Sequence, residues 1–241
     1  GAVMPETVPA MPGPVPRQDS RPSSVHHKRD VVAHDETAAQ NSPRLEVDLQ
    51  SLAARGFITP TAKRSLTHDQ FRVVKRHLIR NATGQSVVPI ERGNLIMITS
   101  ATAGEGKSFS AINLAMSIAS ELDHTVLLVD ADVARPTVLR TLAPETATAS
   151  AKGLLDLLEG QCELADVLLR TNVDKLTVLP SGAYRPHATE LLASEAMRHL
   201  LEQVANRYRD RVVIFDSPPL LMTTEAQVLA TQMGQVVLVV S

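Results

Sequence analysis

Tryptophan is absent from the 241-residue chain, tyrosine occurs twice and phenylalanine four times. So little aromatic surface excludes base-stacking platforms for single-stranded nucleic acid and the stacked rings of a carbohydrate cleft. The one cysteine, Cys162, can form neither an intrachain disulfide nor a zinc cluster, which favours a reducing compartment. Neither sign of charge dominates, with 24 Lys and Arg against 26 Asp and Glu, so no basic stripe marks a nucleic-acid partner. Long apolar runs are missing. The longest, VVIF at 212–215 and VVLVV at 236–240, fall far short of the roughly 20 residues that span a bilayer. No signal-peptide pattern opens the chain. No G-x-S-x-G elbow occurs, and the eight histidines include no H-E-x-x-H pair. The expectation is a soluble, cytosolic protein, with Cys162 as a small packing residue on a helical pattern.

What is present divides unevenly. Residues 1–43 hold seven of the 15 prolines and show no periodicity, so they read as a disordered tail that buries too little apolar surface to offset its ordering. His26 and His27 beside Lys28 and Arg29 read as part of that solvated tail. Residues 44–92 read as an N-terminal helical segment. The stretch 45-LEVDLQSLAARG-56 ends on a helix-stopping Gly56, and a second helix runs from about Thr67, its cap, to Arg80. Phe71, Val74 and Leu78 fall on one face of that helix, and Asp69, Arg72, Lys75 and Arg76 on a charged face.

From residue 93 to 241 the chain alternates apolar strand runs with helical stripes. Buried strands are expected at 95–99, 125–129, 176–179, 212–215 and 236–240. Helical stripes fall at Ile112, Ala115, Met116 and Ala119, and at Met197, Leu200, Leu201, Val204 and Tyr208. The fold class is therefore α/β, a doubly wound and mainly parallel sheet with helices on both faces.

The strongest signal is 101-ATAGEGKS-108, a P-loop pattern with Ala101 in place of the first glycine. It follows an expected strand and opens an expected helix, where backbone N–H groups and the positive helix end meet phosphate. The cradle comprises Ala103, Gly104, Glu105, Gly106, Lys107, Ser108 and Phe109. Lys107 is placed to reach the β- and γ-phosphates of ATP, and the Ser108 hydroxyl to ligate Mg²⁺.

Two acidic sites end later strands: Asp130 and Asp132 in 126-VLLVDADVARP-136, and Asp216 in 212-VVIFDSPP-219. A single aspartate after a strand is usually a cap or turn residue, but three beside a P-loop should converge outside the carboxyl ends of the strands. The DxD spacing turns Asp130 and Asp132 to the same side of an extended segment. Asp130 then suits the role of base, completing a catalytic set with Lys107 and Asp132. Ser108, Asp132 and Asp216 suit Mg²⁺ or its waters.

Together these motifs resemble the bacterial tyrosine kinases of exopolysaccharide synthesis. The segments 153-GLLDLLEGQCELADVL-168 and 178-VLPSGAYRPHATELLAS-194 are similar to those the family carries between the motifs, and 45-LEVDLQSLAARGFITP-60 with 71-FRVVKRHLIRNA-82 looks most like its exosortase-associated branch. The resemblance implies autophosphorylation in trans on tyrosines near the C-terminus. It also implies ring-like self-assembly, protein tyrosine substrates, and activation by a membrane polysaccharide co-polymerase that recruits the kinase to the inner face of the plasma membrane. The family's E-x-x-R-x-x-R ring contact maps onto Asp69, Arg72 and Lys75, with the first and last positions altered but their charge sign kept.

The family usually continues past its fifth strand to a tyrosine-rich tail, whereas this chain stops at Ser241, which reads either as truncation of its kinase domain or as absence of the phosphate-accepting tail. Of its two tyrosines, Tyr208 reads as core and Tyr184, in a polar loop, as the better candidate for modification. Two other readings fit the same motifs. A MinD/ParA-like ATPase switch shares the P-loop but places a signature lysine where Thr102 stands. A nucleotide-binding regulatory subunit would assemble without turnover.

Overall fold

The structure is a computed structural model that describes residues 1, 43–62, 64–143, 152–207 and 211–241, and all its elements lie within the unit Ala38–Ser241. The readings made for the tail through residue 42 and for Tyr208 fall outside the described residues. From the N-terminus, β1 (Arg44–Leu45), α1 (Leu49–Ala54) and α2 (Leu66–Ala82) precede β2 (Leu95–Ser100), α3 (Lys107–Ala119), β3 (Thr125–Asp130) and α4 (Val138–Leu142). Next come α5 (Leu154–Leu158), α6 (Leu164–Val167), β4 (Leu169–Thr171), β5 (Leu176–Leu179) and α7 (Ala188–Leu192). The chain closes with α8 (Glu195–Arg207), β6 (Arg211–Asp216), α9 (Thr224–Thr231) and β7 (Gln235–Val239).

The strands form one sheet in the order β1-β4-β5-β3-β6-β2-β7. All neighbours pair in parallel except β4 and β5, which run antiparallel. The five expected strands are β2, β3, β5, β6 and β7. Their apolar runs are unbroken because alternate side chains enter two different cores. Ile96, Ile98, Leu128 and Ile214 pack in the layer that holds α1 to α4. Leu95, Met97, Val129 and Phe215 pack in the layer that holds α5 to α9. Full burial of such side chains stabilises the fold by roughly 1.5–3 kcal/mol each.

Several local readings change. Leu45 belongs to β1, so the first helix shrinks to α1, whose cap is Asp48 accepting from the Ser51 N–H at 2.9 Å. Ser65 rather than Thr67 caps α2, accepting from the His68 N–H. Val74 is exposed, and Lys75 is buried on the stripe with Phe71, Leu78 and Ile79. The Lys75 ammonium donates to the Ser117 carbonyl at 2.7 Å and pairs with Glu121 at 2.6 Å. A long aliphatic stem can cross an apolar interface when its charged head finds partners beyond it, and α3 supplies the carbonyl. Cys162 sits in the turn between α5 and α6 rather than on a helix, half-buried against the second core. Burial first, then the charge of Asp156, raises its thiol above the ordinary range, which disfavours the thiolate.

Gly153 joins α5 to the segment that follows β5. There Leu154 and Leu155 donate N–H groups to the carbonyls of Pro180 and Ser181 at 2.7 and 2.9 Å. A Cβ at Gly153 would lie 2.2 Å from the Pro180 carbonyl oxygen and 2.4 Å from the Gly182 nitrogen. Gly153→Ala should therefore cost about 1–3 kcal/mol in urea unfolding followed by circular dichroism. An unchanged midpoint would show that the two backbones separate freely.

Candidate active site

Three loops meet at the carboxyl edge of the sheet: 101–106 after β2, 131–137 after β3 and 217–223 after β6. Backbone hydrogen bonds lace them together. The Leu220 N–H donates to the Ser100 carbonyl at 2.9 Å, and the Ala131 N–H to the Asp216 carbonyl at 2.8 Å. The Thr99 hydroxyl reaches the Pro218 carbonyl at 2.8 Å. The crossover through α3 carries the chain from β2 past β6 to β3, while β7 lies on the other side of β2. Sheets of this kind hold ligands at such a reversal of winding.

The loop 101–106 turns tightly because Gly104 and Gly106 take φ of +91° and +90°, a conformation that costs glycine nothing and most residues much. Gly106 stands at the N-cap of α3 without a side chain to cap it, which leaves the first amides of the helix for an anion. A cavity of about 360 Å³ opens there. Lys107, Ser108 and Asp132 line it, with Thr137 and Arg135 from the second loop and Pro218, Pro219 and Met222 from the third. Lys107 is buried and its ammonium lies 2.6 Å from Asp132 Oδ2. Thr137 donates its hydroxyl to Ser108 Oγ at 2.9 Å.

Asp130 and Asp216 are neighbours on paired strands and almost wholly buried. Asp130 Oδ2 accepts the Val138 N–H at 3.0 Å, while Oδ1 has no hydrogen-bond partner. Burial, and then the charge of Asp216, pushes the Asp130 carboxyl well above its ordinary range. Burial pushes Asp216 up to about 6, against the opposing pull of the Ser108 hydroxyl and the Lys107 ammonium. Those groups are near, yet no hydrogen bond of ordinary geometry engages either Asp216 oxygen. Two unpartnered carboxylate oxygens beside a serine hydroxyl fit a small hard cation such as Mg²⁺. Among the described residues no group of three or more His, Cys, Asp or Glu forms a metal cluster.

The structure thus gathers Ala103, Gly104, Gly106, Lys107, Ser108, Phe109 and Asp132 around one cavity. Glu105 turns back and accepts the Thr102 N–H at 2.8 Å. The two aspartates of the DxD pair separate, because the strand ends at Asp130: Asp130 holds the start of α4, and Asp132 holds Lys107. Thr137, Arg135, Met222 and the Pro218–Pro219 wall escaped the sequence reading. For Thr137 the signal was a hydroxyl immediately after the A-R-P that closes the second motif. Asp69 and Arg72 remain on the surface of α2, with Asp69 accepting from Arg64 Nε at 2.8 Å.

Asp216 should leave a pH signature. Its carboxyl titrates near 6 in the fold and from 3.8 ordinarily, so between those values the folded chain holds a proton that the unfolded chain has released. Stability then falls as pH rises through that window, by roughly 3 kcal/mol in all, and stays lower above it. Without nucleotide, Asp216→Asn should melt higher than the parent at pH 8, with the gain vanishing towards pH 4. Equal melting temperatures at pH 8 would refute the burial cost.

A family model described as an AAA domain matches residues 93–241. Tyrosine-protein kinase YwqD of Bacillus subtilis is 34% identical over 187 residues, covering 78% of this chain and 73% of that protein. Tyrosine-protein kinase CpsD of Streptococcus agalactiae is 34% identical over 149 residues, and the chain spans only 62% of its length. The solved BceF tyrosine kinase domain superposes with a TM-score of 0.62 at 28% identity, covering 87% of this chain and 76% of that one. A P-loop site of this geometry, on a chain related over most of its length to such proteins, belongs to the bacterial tyrosine-protein kinase family.

Proposed function

We propose that this chain is an ATP-dependent protein-tyrosine kinase that phosphorylates its own kind and other proteins in the service of exopolysaccharide synthesis or export. The observation that carries the reading is a single cavity in which a P-loop lysine and serine face Asp132, on the family's own sheet. Held by Ser108 and Asp216, with Asp132 near its waters, Mg²⁺ would neutralise charge on the β- and γ-phosphates and shield the buried carboxylates from one another.

The chain's residues do the rest. The Lys107 ammonium, which has three N–H donors and uses one direction on Asp132, also reaches the phosphate chain. The amides of 103–109 hold the phosphate chain against the helix end. Asp130 Oδ1, which has no hydrogen-bond partner, is the acceptor for the proton of a tyrosine hydroxyl, and a bound cation would favour this by offsetting the charge of Asp216. For that transfer the loop 131–137 must open, since Asp130 is 1% exposed. Asp132 already lines the cavity and is the alternative acceptor. Asp130→Asn and Asp132→Asn separate the two: the true base loses transfer, whereas a cation ligand loses Mg²⁺ affinity first.

Thr102, where the ATPase switches place a lysine, favours a protein acceptor over water. Self-association through α2 forms part of the reading, with Asp69 and Arg72 as its surface charges. Lys75 is excluded, since its ammonium is committed to Ser117 and Glu121. Among the described residues no helix is long and apolar enough to cross a membrane, and we assign membrane contact to a co-polymerase partner.

Incubation with γ-labelled ATP, Mg²⁺ and a tyrosine-containing acceptor protein tests the proposal. Label should appear on tyrosine, and Lys107→Ala should reduce it by at least about 100-fold, as loss of a preorganised phosphate contact does. Free phosphate without labelled protein would instead establish an ATPase.

A further inference from the structure

The first turn of α3 must hold its amides, Lys107 and Ser108 in register with phosphate, yet its own cap offers no side chain. Its support comes from the segment between α1 and α2. The Phe57 ring lies against the Phe109 ring, with centroids 4.8 Å apart and planes inclined by 52°. The Arg55 guanidinium sits 5.3 Å from the Phe57 centroid on the ring face. Behind the rings, the Ile58 N–H donates to Asn113 Oδ1 at 2.7 Å, and Asn113 Nδ2 donates to the Phe109 carbonyl at 2.9 Å. Asn113 is wholly buried, so its amide is committed to these bonds and would be costly to strand. Two of only four phenylalanines in the chain are placed here, and one of them lines the cavity.

We infer that Phe57 and Asn113 are positioning residues for phosphate binding: they brace Phe109 and hence the turn that carries Lys107 and Ser108. Phe57 reaches the cavity lining through its ring pair with Phe109, and Asn113 acts through a backbone carbonyl one residue past Ser108. Docking of residues 57–59 and occupancy of the cavity are therefore linked. A nucleotide that tightens the turn tightens the segment, and any protein that displaces the segment loosens the nucleotide. The inference rests on the nucleotide reading of the site and adds to it a second, remote point of control. Phe57 belongs to the first core, whereas Phe109 lines the cavity and is 38% exposed, so the pair ties that core to the site.

The test uses the whole chain and a fluorescent ATP analogue with Mg²⁺. Phe57→Leu keeps apolar volume but removes the ring, and Phe57→Tyr keeps the ring. Affinity should fall about tenfold in Phe57→Leu and recover in Phe57→Tyr, a coupling of ordinary allosteric size. Hydrogen exchange supplies the reciprocal readout, since bound nucleotide should slow exchange of the Ile58 amide in the parent and less so in Phe57→Leu. A double-mutant cycle with Phe109→Leu should show the two losses to be non-additive. Equal affinity in the parent and Phe57→Leu, together with an Ile58 amide indifferent to nucleotide, would overturn the brace. Absence of nucleotide binding by the parent would overturn both the brace and the kinase reading. If Phe57→Leu melts well below the parent and Phe57→Tyr melts with it, yet both bind nucleotide as the parent does, the contact is structural only and the inference fails.

Discussion

Asp130 stands opposite Asp216 because β3 and β6 pair in parallel over six positions. That register puts two buried carboxylates side by side in a medium where like charges cannot both ionise cheaply. The surrounding groups make sense as responses to it. Val138 donates to one carboxylate, Thr137 and Ser108 face the other, and Asp132 is neutralised by Lys107. The arrangement is poised for a divalent cation, whose arrival would relieve the repulsion that the bare fold tolerates.

The same constraint explains how tightly the loops are sewn. A cluster of charge at the end of a sheet would drive ordinary loops apart. Here the loop after β6 is bonded to the base of the P-loop through Ser100 and Thr99, and the loop after β3 to Asp216 through Ala131. The strained groups are therefore carried on rigid backbone, as preorganised electrostatics require.

How much of this was legible in the sequence follows from range. The central strands could be read because Leu, Ile and Val runs buried on both faces need no tertiary information. β1 and β4 could not, being two and three residues long and stabilised by each other and by β5. The P-loop was legible because its glycines and Lys107 are adjacent in sequence. Its partners were only partly so. Asp132 and Asp216 carry strand-end signatures, and Thr137 follows the A-R-P of the second motif, but its role shows only where its hydroxyl meets Ser108. The inward turn of Lys75 was hidden for a different reason. A charged residue on an amphipathic helix is usually outside, and only the Ser117 carbonyl of α3 and Glu121 in the turn after it reverse that expectation. The Phe57–Phe109 pair joins two elements distant in the chain and leaves no local trace.

The strand β7 carries one more consequence. Its Val237 and Val239 pack into the first core, while Val236 and Leu238 on the opposite face, and Val240 just beyond the strand, are about half or more exposed. Among the described residues, no further strand adjoins it. An apolar ladder beside an edge strand's backbone groups is adhesive, a surface suited to pairing with another strand. Kosmotropic salts strengthen apolar association, and an exposed apolar strip of this kind is a surface on which they act.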